Sequence, residues 1–178
     1  MMRNTYIEDD TISLVEYVAQ LDDMDRYRCW QDEGTQRGYN YRMAESFEEF
    51  AQGGGKSRFI ATIKRKSDGV CVGSIFVSPE DTLPDLAIMI YPQHRGKGYG
   101  TSAFSLGANY CFDELGLERI YAGCYPDNAA SLAMLSRCGF VPHPEGNSSE
   151  KHFLTGEDIV QWDFVSCNPR RPCGRHRD

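Results

Sequence analysis

The stretch Arg95-Gly96-Lys97-Gly98-Tyr99-Gly100-Thr101 sets three glycines at alternate positions between basic residues. Lacking Cβ, glycines let a ligand reach the backbone and permit the positive φ angles that turn successive N–H groups inward, so the loop can form an anion nest. Thr101 to about Leu115 keeps helix-compatible apolar spacing. The unpaired N–H groups and positive dipole end of that helix would face the same anion. Arg95 and Lys97 add charge at the rim, and His94 reads as a solvent-facing loop residue. The chemistry is phosphate binding, which many nucleotides would satisfy.

Other candidate motifs fail on context. Gly53-Gly54-Gly55-Lys56-Ser57 imitates the end of a P-loop, but Phe50 stands where the first glycine belongs, and a helix precedes it where a strand is needed. It reads as a flexible turn. His94, His143, His152 and His176 show neither i, i+4 pairing nor a carboxylate partner at metal spacing, so no metal site is expected. Seven cysteines, an odd number without a C-x-x-C pair, read as reduced and mostly buried thiols.

The elements that must position the glycine loop can be laid out from periodicity. Leu86 to Ile90 is a continuous apolar run, expected of a strand covered on both faces, and Tyr91 before Pro92 ends it. Upstream, Thr11–Val18 reads as a strand. Asp22-Asp23-Met24-Asp25 would cap a helix through Trp30, and Ser46 with Glu49 has capping-box spacing for a second. Arg58–Lys64 and Val70–Val77 flank Asp68-Gly69 as a hairpin. Downstream, Arg119–Cys124 follows the long helix as a strand parallel to Leu86–Ile90, since strand, helix, strand implies a right-handed crossover. Asp127-Asn128 caps a helix to Cys138. Pro142–Glu150 reads as a polar loop, and Lys151–Leu154 with Asp158–Ser166 as a closing hairpin, with Val160, Trp162 and Phe164 on one face.

A chain of 178 residues with 40% hydrophobic content is sized for one domain, placed at residues 1–167, with 168–178 as a basic, disordered tail. The net charge of −7 argues against a nucleic-acid partner, and removing the tail leaves 15 basic against 25 acidic residues, −10. An acidic body favours cationic acceptors, although plain solubility explains it equally well. No apolar run spans a membrane, and the acidic amino end lacks a signal-peptide core, so a cytoplasmic location is expected.

Arg95-Gly96-Lys97-Gly98-Tyr99-Gly100 matches the R/Q-x-x-G-x-G/A signature of the GNAT superfamily of acyl-CoA-dependent N-acetyltransferases. Glu114-Leu115-Gly116-Leu117-Glu118-Arg119-Ile120 and the run from Asn128 to Phe140 resemble its RimJ- and RimL-like branch, the ribosomal-protein N-terminal acetyltransferases. The resemblance covers about Thr11 to Val165. It implies an α/β (α+β) fold with a mixed sheet of about seven strands, the fourth and fifth splayed around CoA, and about four helices. It implies acetyl-CoA as cofactor, with Arg95, Gly96, Lys97, Gly98, Tyr99, Gly100 and Thr101 at the pyrophosphate. Ile88, Met89, Ile90 and Tyr91 would line the pantetheine arm, together with Asn128 and Ser131, and a backbone N–H near Met89 or Ile90 would stabilise the thioester oxyanion.

For catalysis the resemblance points to Asp85 as a base through water and Ser131 as proton donor to the leaving thiolate. Ser131 would stand in for a family tyrosine whose position here holds Leu135. A solvated strand-end carboxylate, a bond within the first helical turn and a simple N-cap are the competing readings for Asp85, Ser131 and Asn128. Ser102 departs from the branch's usual glutamate, which bears on the charge of the acceptor pocket. Trp30, Tyr39, Tyr41 and Phe47 are candidates to line that pocket or simply to fill core. The expected function is direct acetyl transfer to a primary amine, a protein N-terminus or a small molecule, by a monomer or homodimer. The alternative is a catalytically silent acyl-CoA-binding or regulatory module.

Overall fold

The computed structural model describes residues 2–53 and 56–171. Two antiparallel sheets are set edge to edge. The first has the order β1 (Thr5–Glu8), β2 (Ile12–Glu16), β3 (Phe59–Arg65), β4 (Cys71–Val77), β5 (Leu86–Ile90). The second runs β6 (Arg119–Cys124), β8 (Asp158–Cys167), β7 (Val141–Lys151). Among the described residues they meet at one isolated parallel bridge, Asp85 with Tyr121, where Tyr121 N donates to Pro84 O at 2.9 Å. Beyond it β5 and β6 diverge. The resemblance anticipated this splay; side-by-side pairing along the strands does not occur.

Among the described residues five α-helices flank the sheets, against about four expected. α1 (Ala19–Gln31), α2 (Glu33–Tyr39) and α3 (Phe47–Gln52) precede β3, α4 (Tyr99–Asp113) links β5 to β6, and α5 (Ala129–Arg137) follows β6. α4 packs on the first sheet through Ala103, Phe104, Gly107 and Cys111, all buried, against Ile12, Leu14, Ile75 and Leu86. The approach needs Gly107: a Cβ there would lie 2.5 Å from Ile75 Cδ1. Leu135 and Phe140 extend the same core between α5 and the second sheet.

Several expectations change. The described residues hold eight strands, not about seven, because β1 pairs with β2; Pro142–Glu150 is not a loop but most of β7, which takes the place of the strand expected at Lys151–Leu154. That segment carries no alternation: it is an edge strand whose register on β8 shifts between Pro142 and Asn147, and an edge tolerates a proline without an N–H. α1 begins at Ala19, ahead of the acidic cluster taken for its cap. Asp22 is instead buried, accepting from Val18 N and Thr62 Oγ1 at 2.8 Å each and pairing with Arg3 at 2.8 Å. α2 was not anticipated; Asp32 caps it by accepting from Thr35 N. The Ser46–Glu49 capping box and the left-handed Gly69 of the β3–β4 turn form as read.

Asn168 does not open a tail. It is buried and donates to Phe112 O and Leu117 O at 3.3 Å each, while Arg170 pairs with Asp113. Residues 172–178 and the glycines at 54 and 55 lie outside the described residues. Cys29, Cys71, Cys111, Cys124 and Cys138 are free thiols as expected, but Cys167 is disulfide-bonded.

Candidate active site

The divergence of β5 from β6 opens a cleft of about 780 Å³. β5 forms one wall, β6 with Gln161 of β8 the other, α4 and α5 close one end, and α2 covers the β5 edge. Gly96 and Gly98 stand at φ 72° and 83°, the left-handed region that side chains resist. Gly100 lies instead in the first turn of α4, where a Cβ would sit 3.6 Å from Ile90 Cγ1. Two of the three glycines therefore shape the loop, and the third keeps the helix start bare.

Hydrogen bonding settles which backbone groups of β5 face the gap. Tyr91 N donates to Val72 O at 2.9 Å and Ser78 N donates to Asp85 O at 3.0 Å, so odd-numbered residues address β4. Tyr39 OH donates to Ile88 O at 2.6 Å and Arg95 Nε to Ile90 O at 3.0 Å, from the other side. Strand alternation then turns the Ile88 and Ile90 N–H groups into the cleft and the Met89 N–H away from it. Of the two positions expected to stabilise an oxyanion, Ile90 has the required direction.

Asp85, Ile88, Met89, Ile90, Arg95, Gly96, Gly98, Tyr99, Gly100, Thr101, Asn128 and Ser131 all border the cleft. Tyr91 does not: its side chain is buried with Cys29 and Met89 in a second core cluster, because a residue following Ile90 on the strand points away. Lys97 is exposed and donates to Gln93 O at 3.2 Å. Asn128 accepts from Ser131 N at 3.1 Å, so it is an N-cap as well as a cleft residue. Ser102 leaves the acceptor pocket altogether and bonds Asp9 in the β1–β2 turn, which removes its bearing on the pocket's charge. Leu135 is core, at 1% exposure.

The electrostatic centre is Asp85. Its backbone N–H donates to Leu83 O at 2.8 Å and Ser78 Oγ at 2.9 Å, fixing the strand head. Burial, helped by the nearby Asp163 carboxylate, raises its carboxyl from 3.8 to about 6. Asp163 was missed in the sequence, as were Gln161, Tyr125 and Glu150. Gln161 Nε2 donates to Asp163 Oδ1 at 3.2 Å, and the Gln161 side chain lies where a Cβ on Gly123 would have to be. The signal was present in Val160-Gln161-Trp162-Asp163-Phe164, where two polar residues alternate with three apolar ones. Tyr125 bonds Glu150, whose other oxygen accepts from Asn40 Nδ2 at 3.0 Å, tying β7 to the end of α2. Cys124 lines the cleft as a thiol pushed up to about 11, again by burial and Asp163, which leaves it a poor nucleophile. Of the aromatic candidates, Tyr39 borders the cleft; Trp30 packs on Tyr39 and Tyr41, and Phe47 on Tyr27.

With this geometry in view, the chain was compared with known proteins. The family model described as Acetyltransferase (GNAT) domain matches residues 2–141. The chain belongs to the GNAT acetyltransferase family. Among its GNAT relatives, a spermidine N(1)-acetyltransferase of Vibrio cholerae serotype O1 is 25% identical over 114 residues, which is 64% of this chain and 65% of the relative. The match thus spans just under two thirds of that relative's length. A crystal structure of spermidine N-acetyltransferase from Vibrio cholerae, in complex with CoA and spermine, superposes with a TM-score of 0.78 at 18% identity, covering 90% of this chain and 97% of that one. Ribosomal-protein-S5-alanine acetyltransferase from Vibrio fischeri gives 0.74 at 16% identity, covering 97% and 100%. At these identities the two structures support the fold alone.

Proposed function

We propose that the protein is an acetyl-CoA-dependent N-acetyltransferase acting on a primary amine of a small, cationic molecule by direct attack in a ternary complex. The observation that carries this reading is the Asp85 carboxyl in the same cleft as the glycine nest, with the Asp163 carboxylate close enough to act on it, so that a phosphate-bearing donor and a cationic acceptor are both accommodated. Glu150 beside Tyr125 adds a further carboxylate on the β7 side. The spermidine acetyltransferases among the relatives support a polyamine-like acceptor, and the RimJ- and RimL-like resemblance of the sequence makes a protein N-terminus the second candidate.

The residues fit CoA as donor. Left-handed Gly96 and Gly98 and the α4 start offer N–H groups for a pyrophosphate, and the splayed gap offers the Ile88 and Ile90 N–H groups for an extended arm. The donor supplies a thioester carbonyl; the chain supplies the rest. Asp85 is ionised above pH 6 and takes a proton from the bound ammonium, directly or through water. Ile90 N–H is directed where carbonyl charge would develop. Ser131, whose hydroxyl borders the cleft in the first turn of α5, would protonate the departing thiolate, since Leu135 carries no proton to give. Cys124, held protonated, argues against an acyl-cysteine route.

Incubation with acetyl-CoA, a panel of polyamines and N-terminal peptides, and a thiol reagent tests this reading. Acceptor-dependent thiol release rising through pH 6 is expected. CoA binding without thiol release for any amine would favour the silent module, the reading that Leu135 prompts.

A further inference from the structure

Arg95 was expected at the pyrophosphate, yet its guanidinium is committed elsewhere. Nη1 pairs with Asp32 Oδ2 at 2.8 Å, Nη2 donates to Thr35 Oγ1 at 2.7 Å, and Nε donates to Ile90 O at 3.0 Å. Asp32 also accepts from Thr35 N at 2.8 Å and Thr35 Oγ1 at 3.1 Å, so one carboxylate caps α2 and grips the arginine. Against the opposing effect of burial, the Thr35 backbone N–H and then Arg95 hold that carboxyl below its ordinary range. The fit is close: a Cβ on Gly34 would lie 3.0 Å from Arg95 Nη1.

One turn further along α2, Tyr39 OH donates to Ile88 O at 2.6 Å. The spacing is commensurate, because four helical residues advance about 6 Å and two strand residues about 6.6 Å. α2 is therefore fastened at both ends to carbonyls that β5 turns toward the gap, by Tyr39 at Ile88 and through Arg95 at Ile90. On its other side a Cβ on Gly38 would sit 3.6 Å from Asn128 Nδ2, at the start of α5. The helix bridges the two lips of the cleft.

We infer that Arg95 is a positioning residue for the amine side of the reaction, a strut that holds α2 as the cleft wall, and that the pyrophosphate is left to backbone N–H groups. The inference rests on the acetyltransferase reading of this cleft. Arginine suits the role because its planar fork reaches three separated acceptors from three nitrogens, whereas a lysine's donors all share one.

The test compares Arg95→Ala, Arg95→Lys, Asp32→Asn and Thr35→Val by CoA titration calorimetry, by KM for the amine, and by hydrogen exchange over residues 33–39. Expected are about tenfold rises in amine KM and in α2 exchange for Arg95→Ala, with CoA affinity within about twofold of wild type. Arg95→Lys and Asp32→Asn should behave alike, and the Arg95→Ala, Asp32→Asn double variant should be no worse than either single. Thr35→Val, the mildest change, should move the same quantities less and serves if the others fold poorly. The inference is overturned if Arg95→Ala weakens CoA binding tenfold with a shallower salt dependence while Arg95→Lys and Asp32→Asn bind CoA normally and α2 exchange is unchanged. Failure of the wild type to bind CoA would instead strike the acetyltransferase reading, and the exchange data would still judge the strut.

Discussion

The two halves of the cleft are built from different material. On the donor side, β5, the glycine loop and the start of α4 form one continuous run of chain, and their working groups are backbone N–H donors whose direction follows from strand alternation and two left-handed glycines. On the side proposed for the acceptor, Asp85, Gln161 and Tyr125 border the cleft, with Asp163 and Glu150 bonded behind Gln161 and Tyr125; they come from four separate segments and contribute side-chain polarity and charge. Under the proposed function, the contrast predicts that the donor side tolerates most side-chain changes that spare the backbone, whereas the acceptor side responds to single charges.

The sharpest way to break this contrast is in the loop. Gly98→Asp sets a side chain at φ 83° and a negative charge in the nest, and should weaken CoA binding about a hundredfold or more by calorimetry. If CoA binding survived, the backbone account of the donor side would fall. Asp85→Asn should leave CoA affinity intact and lower kcat/KM about a hundredfold, the scale of a lost general base.

The same substitution has an opposite effect on stability. The Asp85 carboxyl is raised from 3.8 to about 6 in the folded protein, so its ionised form is penalised by folding. Stability is thus lost as pH rises from about 4 through 6, and the loss is complete above that. Asp85→Asn should raise stability by about 1–2 kcal/mol at pH 7.5 after allowing for partial solvent screening, and by almost nothing at pH 3.5, as denaturant melts would register.

Asp163→Asn sharpens the comparison from the other carboxylate. Removing that charge should move the acid limb of the pH–rate profile downward by a fraction of a unit, because burial is the larger cause of the Asp85 shift. An upward or absent movement would show that the two carboxylates do not communicate. Smallest of all, Ser102→Ala should cost on the order of 1 kcal/mol of stability through its bond to Asp9 while leaving both KM values unchanged.

Asn128 illustrates how far local pattern carries. An asparagine before an apolar helix is an N-cap on spacing alone, and it is one. That it also borders the cleft follows from the turn of α5 against α2, which spacing does not encode. Tyr91 shows the reverse: contiguity with Ile88–Ile90 placed it with the arm, and strand parity put its ring in the opposite core. β7 escaped detection because an edge strand needs no apolar alternation, and α2 because Glu33-Gly34-Thr35-Gln36-Arg37-Gly38-Tyr39 is a poor helix without its Asp32 cap and its two anchors on β5.

By itself the sequence determined the glycine loop and its proposed anion-binding role, the β5–α4–β6 order and the GNAT resemblance, since each is a short-range matter of glycine placement, apolar periodicity and motif. Only the tertiary structure decided which N–H faces the gap, that Asp163 stands near Asp85, and that Arg95 turns to α2. Those depend on strand divergence and on contacts between residues tens of positions apart, where the local pattern is silent.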